Sequence, residues 1–373
     1  MTQDAAGFSQ TDIDFMSQAL RLGAFGTGLT APNPAVGCVL VSAAGEIVGT
    51  GWTQKSGRPH AEAVALAEAG ERARGATAYV TLEPCAHHGK TAPCADALIE
   101  AGIARLVYAM ADPDPRTAGQ GAQKCAAAGI NVQAGLLAEQ AARAHLGFVT
   151  RLTQARPMVT LKLAVSKNGF MRTPQGQSPW ITGALARNYG HLLRAQHDVI
   201  LTGSGTVRAD DPSLDCRLPG MTSASPQIAI MSRDGKLTEA CKLAQKAQTE
   251  PVLLYCENGE AAPKAFLQLA FQHLTPHAVL HHLASRGYTR VLLESGPRLA
   301  AGFLADNMVD AIALFAAPHN LDMQGESDIS AMGLAEMAGF TRSEMRMLGD
   351  DQFSLWHKQD NAMETSLRGV KGS

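Results

Sequence analysis

One interruption in an otherwise regular pattern constrains this chain most. Short apolar runs rich in β-branched residues alternate with Ala-, Glu- and Leu-rich stretches at helical spacing; the alternation stops at Thr153-Gln154-Ala155-Arg156-Pro157 and then begins again. Proline lacks an N–H and clashes with the preceding turn, so it stops a helix and suits a linker. At 373 residues the chain is also long for a single core, which favours two domains. The expected division is 1–152 and 153–373. Alternating elements predict an α/β architecture, a sheet with helices on its faces, in each half.

In the first half the spacing predicts helices over 15–29, 60–73, 92–101 and 121–128 and a long helical stretch over 136–151. Strands are expected at 76–81, 104–110 and 130–134, and a hairpin joins 36–41 to 47–52 through Ala44-Gly45. In the second half strands are expected at 158–165, 198–202, 227–231, 251–255, 290–293 and 311–316, with a helix over 183–195. The tail from 358 is polar and is expected to fray.

Charge and composition remove several classes of function. The net charge is −2, and a general nucleic-acid binder needs clustered Lys and Arg against phosphate. No apolar run reaches the roughly 20 residues that span a bilayer. The first ten residues hold Asp4 and no basic-then-apolar pattern, so no secretory signal is expected. The seven cysteines are odd in number and scattered, which reads as reduced thiols in a cytoplasmic protein. A homo-oligomer is the expected state, of an order the sequence leaves open.

The chemistry concentrates in His60-Ala61-Glu62, Pro84-Cys85 and Pro93-Cys94. Imidazole nitrogen and thiolate sulfur are preferred Zn2+ ligands, and three protein ligands leave a fourth position for water, whose pKa the metal brings toward neutrality. Glu62, two residues after His60 at an expected helix start, is placed to carry protons from water to a leaving amine. Each cysteine follows a proline in a loop-to-helix setting, where helix N–H groups favour thiolate. Zinc deaminases carry His-x-Glu and then Pro-Cys-x-x-Cys; here eight residues, 86–93, separate the cysteines. A closed structural zinc site, with His87 or His88 as fourth ligand, is the competing arrangement.

These motifs, together with Thr81-Leu82-Glu83-Pro84-Cys85, His87-His88-Gly89-Lys90-Thr91-Ala92-Pro93-Cys94, Pro32-Asn33-Pro34, Val36-Gly37-Cys38 and Asp112-Pro113, resemble the deaminase domain of the bifunctional riboflavin-biosynthesis proteins. The resemblance implies an N-terminal cytidine-deaminase-like α/β/α domain acting on a phosphorylated ribosylaminopyrimidine. It also implies substrate contacts at Asn33, His87, Lys90 and Asp112. Asp114 departs from that family's usual Asn.

The second half continues the resemblance in order. Its matching pieces are Leu161-Lys162-Leu163-Ala164, Ser178-Pro179-Trp180-Ile181-Thr182, Thr206-Val207, Asp210-Asp211-Pro212-Ser213-Leu214 with Arg217, Leu293-Glu294-Ser295-Gly296-Pro297, and Ala317-Pro318. They imply a C-terminal dihydrofolate-reductase-like α/β domain that uses NADPH to reduce the ribosyl side chain to ribityl. By position, Ala164, Trp180, Thr206 and Asp210 fall on the cofactor side and Ser178, Leu214, Arg217 and Glu294 on the substrate side. Physically, Thr202-Gly203-Ser204-Gly205-Thr206 ends an expected buried strand, where exposed N–H groups meet phosphate. Asn168, Ser295, Arg298 and His319 depart from the family's pattern, so a deaminase with a weakened or structural reductase domain stands as the alternative.

Overall fold

The computed structural model describes residues 7–87, 92–114, 118–174, 178–258 and 262–359. They form two compact units that divide between Ala155 and Arg156. The expected fraying from 360 onward falls outside the described residues.

The first unit opens with α1 (Gln10–Ala24), which starts earlier than its apolar spacing predicts. Ser9 and Asp12 form a reciprocal capping box there, which satisfies N–H groups that the first turn leaves unpaired. The strands β1 (Gly37–Val41) and β2 (Ile47–Trp52) form the expected hairpin. Then come α2 (Ala61–Ala69), β3 (Thr77–Val80), α3 (Cys94–Glu100), β4 (Arg105–Tyr108), α4 (Gln120–Ala127) and β5 (Asn131–Ala134). The sheet order is β2-β1-β3-β4-β5. β1 is antiparallel to both neighbours, and β3, β4 and β5 are parallel. The stretch expected as one helix is two, α5 (Ala138–Ala144) and α6 (Leu146–Gln154). They break at His145, whose ring is buried with Nε2 3.1 Å from Thr81 Oγ1.

Glycines set how closely α2 approaches the sheet. A Cβ at Gly49 would stand 2.2 Å from the carbonyl oxygen of Ala65, and one at Gly51 2.1 Å from that of Ala61. No side chain fits in that space, so the helix carrying Glu62 rests directly on β2.

The second unit comprises β6 (Met158–Val165), α7 (Ala184–Ala195), β7 (Val199–Gly203), α8 (Ser204–Asp210), β8 (Gln227–Met231), α9 (Lys242–Lys246), β9 (Val252–Cys256), β10 (Leu267–Ala270), α10 (Pro276–Ser285), β11 (Arg290–Leu293), α11 (Pro297–Ala305), β12 (Ala311–Ala316), α12 (Asp328–Ala331), β13 (Phe340–Leu348) and β14 (Asp351–Lys358). The sheet runs β10-β9-β8-β7-β11-β6-β12-β14-β13, parallel except where β14 pairs with β12 and β13. Successive residues face opposite sides. Val199 and Leu201 join one apolar cluster with Val279, Leu283 and Phe303, while Ile200 joins the other with Leu193 and Leu243. Helices therefore cover both faces. The strand order reverses around β6, β7 and β11, and such switch points open a ligand crevice beyond the strands' carboxyl ends. Arg156 holds the first strand in place through a buried bidentate pair with Asp310, at 2.6 and 2.8 Å.

Candidate active site

His60 is the N-cap of α2, with extended backbone, and Glu62 lies in that helix's first turn. Cys94 opens α3 behind its N-cap, Pro93. Cys85 follows β3 on the loop that leads to α3. Their donor atoms converge: His60 Nδ1 stands 3.3 Å from Cys94 Sγ and 3.7 Å from Cys85 Sγ. Tetrahedral zinc, with bonds of about 2.1 Å to nitrogen and 2.3 Å to sulfur, would hold such atoms roughly 3.6 Å apart. Among the described residues, this is the only set of three His, Cys, Asp or Glu donors gathered within 4.8 Å of one another. The donor set fits Zn2+. His87, proposed as a closing ligand, does not join the group; His88 lies outside the described residues.

The electrostatics suit that ion. A hydrogen bond from the Cys94 thiol pushes Cys85 down to about 4 against its burial, and His60 and the Cys94 backbone N–H, 3.3 Å away, push the same way. The same bond, together with burial, holds the Cys94 thiol up. Thiolate, the form favoured at Cys85, is the form that binds a metal. Glu62 is buried, and burial followed by the negative Cys85 raises its carboxyl above the ordinary range. A carboxyl poised nearer neutrality both takes and returns a proton.

The contacts around the centre explain its rigidity. Asn33 donates through its amide to the carbonyl of Gly57 at 2.9 Å, which ties its loop to the segment entering His60. A Cβ at Gly57, where φ is +81°, would lie 2.3 Å from the Asn33 amide nitrogen. Glu83, which in the sequence is only one residue of the motif before Cys85, is a buried anchor. Its carboxylate accepts the backbone N–H groups of Gly119, Ala122 and Asp112 at 3.0, 3.1 and 3.3 Å, so it caps the start of α4. Gly121 of α4 in turn backs onto the Pro84 carbonyl, 1.8 Å from where a Cβ would stand. These contacts fix the Cys85 loop from behind. Asp112 is buried with its Oδ1 accepting the Asp114 N–H at 2.9 Å, and burial above all pushes it up to about 7. Lys90 lies outside the described residues.

In the second unit the expected residues fall into two groups at the strand ends. Thr206 Oγ1 accepts the Gly296 N–H at 3.1 Å, which brings the start of α8 beside the start of α11. Between them Ser295 is buried, its Oγ without a hydrogen-bond partner. Two helix starts and an unsatisfied hydroxyl suit the anionic phosphates of a dinucleotide. Glu294, at the end of β11, makes a bidentate pair with Arg194 at 2.7 and 3.0 Å. Burial alone would raise its carboxyl, but Arg194 and Lys162 hold it down at about 2. Arg194 also reaches the Asp215 carbonyl at 3.0 Å, and Arg217 stands 3.4 Å from His191 and 3.6 Å from Asp215. Glu294 and Arg217 therefore belong to one charged network.

Other expected residues are placed differently. Leu214 is buried among apolar side chains of the core. Ser178 is exposed and accepts the Trp180 N–H at 3.3 Å, and Trp180, 58% exposed, lies under the Arg187 guanidinium at 4.9 Å. Ala164 sits half-buried on β6, and Asp210 ends α8, exposed. Beside Trp180 a cavity of about 360 Å3 opens between Ile181, the start of α7, Pro318-His319 and the β13–β14 turn. Sequence reasoning missed Lys162 and Arg194. Lys162 was legible as the one charge in an apolar strand; in register Leu161 faces Leu293, so Lys162 stands beside Glu294. Asn168 is explained by its surroundings: its amide receives the Leu321 N–H at 3.0 Å and donates to the Leu321 carbonyl at 2.9 Å, a pairing that a carboxylate cannot make.

The comparisons with known proteins agree with this arrangement. Residues 9–110 match the cytidine and deoxycytidylate deaminase zinc-binding region, and residues 157–333 match the RibD C-terminal domain. The chain is 38% identical over 355 residues to the riboflavin biosynthesis protein RibD of Escherichia coli, covering 90% of this chain and 96% of that protein. The RibD of Haemophilus influenzae is 38% identical over 369 residues. Among solved structures, a diaminohydroxyphosphoribosylaminopyrimidine deaminase/5-amino-6-(5-phosphoribosylamino)uracil reductase of Thermotoga maritima superposes with a TM-score of 0.84 at 32% identity, covering 94% of this chain and 99% of that one. Acinetobacter baumannii RibD does so with 0.83 at 35% identity over the same shares. A deaminase centre in one half and a reductase cleft in the other, on a chain matched almost end to end, mean that this protein belongs to the bifunctional RibD family of riboflavin-biosynthesis enzymes.

Proposed function

We infer that the chain deaminates 2,5-diamino-6-(5-phosphoribosylamino)pyrimidin-4-one in its first unit and reduces the ribosyl side chain of the product in its second. The observation that carries the first step is the meeting of His60, Cys85 and Cys94 with the buried acid Glu62 beside them. Zinc, when held by those three, supplies the Lewis acidity that makes water nucleophilic at neutral pH. Glu62 accepts the proton of that water and delivers it to the departing amine. Asn33, His87, Lys90 and Asp112 are assigned to the pyrimidine and its phosphoribosyl arm. Burial above all pushes Asp112 up to about 7, which favours a protonated carboxyl that donates a hydrogen bond to the ring. The deaminase work is assigned to 1–152 and the reductase work to 153–373.

In the second unit NADPH supplies the hydride. Ala164, Trp180, Thr206 and Asp210 are assigned to the cofactor; Ser295 supports that assignment through a hydroxyl that a phosphate oxygen would satisfy. Ser178, Leu214, Arg217 and Glu294 are assigned to the substrate. Because Glu294 stays ionised, it accepts sugar hydroxyl protons in hydrogen bonds, and Arg194, paired with it, and Lys162, beside it in register, are the cations that balance charge as the ring opens. Leu214, whose side chain is buried, serves through its backbone and its packing. No helix among the described residues is long and apolar enough to cross a membrane. A homo-oligomer remains our proposal, open to sedimentation analysis.

A coupled assay tests both steps in one sample. Ammonia release should precede NADPH oxidation, and the two should reach equal amounts. Ammonia without NADPH oxidation would favour a reductase domain kept for structure alone.

A further inference from the structure

Helix α10 buries Val279, Leu280 and Leu283 against the sheet, and that apolar stripe fixes its rotation. The opposite face carries His277 and His281, both exposed. They are one turn apart, and their imidazoles lie nearly parallel, with centroids 6.4 Å apart and planes 16° from one another. Residues at i and i+4 have Cβ atoms about 5–6 Å apart, so two imidazoles on adjacent turns can close on one ion, as the paired histidines of H-E-x-x-H helices close on zinc. We propose that His277 and His281 form a two-nitrogen clamp for a divalent late first-row metal, Cu(II) foremost and Ni(II) or Zn(II) more weakly, separate from the His60, Cys85 and Cys94 centre.

The donor set gives this preference. Two imidazoles without thiolate suit copper, nickel and zinc, and affinity at a given nitrogen site peaks at Cu(II). The helix is built before the metal arrives: Thr275 caps it by accepting the Ala278 N–H at 3.2 Å, and Pro276 occupies its first turn. Little ordering cost is left for binding. The adjacent His282 does not compete, because its ring faces inward with Nδ1 2.9 Å from Tyr255 Oη and an edge contact to Phe271. Where hydrolytic zinc helices place Glu after the first histidine, this one has Ala278. The clamp therefore binds and does not hydrolyse.

Zinc-loaded, full-length protein titrated with Cu(II) in a non-coordinating buffer tests the clamp, with electron paramagnetic resonance and zinc content followed together. The first copper equivalent should show equatorial nitrogen splitting while zinc stays at one per chain. His277→Asn and His281→Asn should each weaken that binding at least about tenfold, the scale on which even a ligand's supporting partner acts, without changing the far-ultraviolet circular dichroism. His273→Asn, two residues before the cap, should leave it intact. A first equivalent that expels zinc, or that is indifferent to both helix substitutions, overturns the proposal, as would equal loss in the His273 variant.

Discussion

Three side chains each carry a separate prediction. Glu62→Gln keeps the shape of the acid and removes its proton traffic. It should retain one zinc per chain and lose at least about 10²-fold in ammonia release; normal turnover would remove Glu62 from the mechanism. Asp112 has an ordinary value of 3.8 and stands near 7 in the folded protein. Between those values the folded state holds more protons than the unfolded one, so stability falls as pH rises through that window. Asp112→Asn should flatten that slope and raise stability at pH 8 by on the order of 2–4 kcal/mol, while weakening the deaminase; melting curves across pH 5–8 measure the first effect and ammonia release the second. Ser295→Ala should leave the fold intact and weaken NADPH binding by about 1 kcal/mol, the net worth of one hydrogen bond; unchanged NADPH fluorescence titration would detach Ser295 from the phosphates.

At the scale of elements, the zinc centre depends on how closely helices rest on backbone. Gly121 of α4 leaves no room for a Cβ against the Pro84 carbonyl, and Pro84 precedes a ligand. Gly121→Ala should therefore cost about 2–3 kcal/mol of stability, as overpacking does, and should lower zinc occupancy as measured by metal analysis. The reductase half should keep its NADPH binding. Strand β13 shows why some elements escaped the sequence. Its residues are mostly exposed, and Arg342, Glu344 and Arg346 interrupt its apolar positions. An edge strand needs no buried face, so it leaves no alternating signal. Helix α1 was displaced for a different reason: the cap at Ser9 outweighed an apolar spacing that continued past Phe25.

For the molecule as a whole, two chemistries on one chain should separate under metal removal. A strong chelator should abolish ammonia release and leave NADPH oxidation intact when the deaminated substrate is supplied; loss of both would tie the reductase to the metal. Much of this division could be read directly. Histidine and cysteine at fixed spacings name zinc chemistry because few other side chains bind it so well, and periodicity predicted the alternating elements of the first half and, in the second, strands β6, β7, β8, β9, β11 and β12 with helix α7, since a buried face must repeat with its helix or strand. What the sequence could not give was partnership between distant residues. Glu83 capping α4, Arg194 clamping Glu294, Lys162 standing beside that glutamate and Asn168 bridging Leu321 all join residues far apart along the chain, or on different strands. Such pairs depend on register and strand order, which local propensity does not encode, and only the folded sheet brings them within reach.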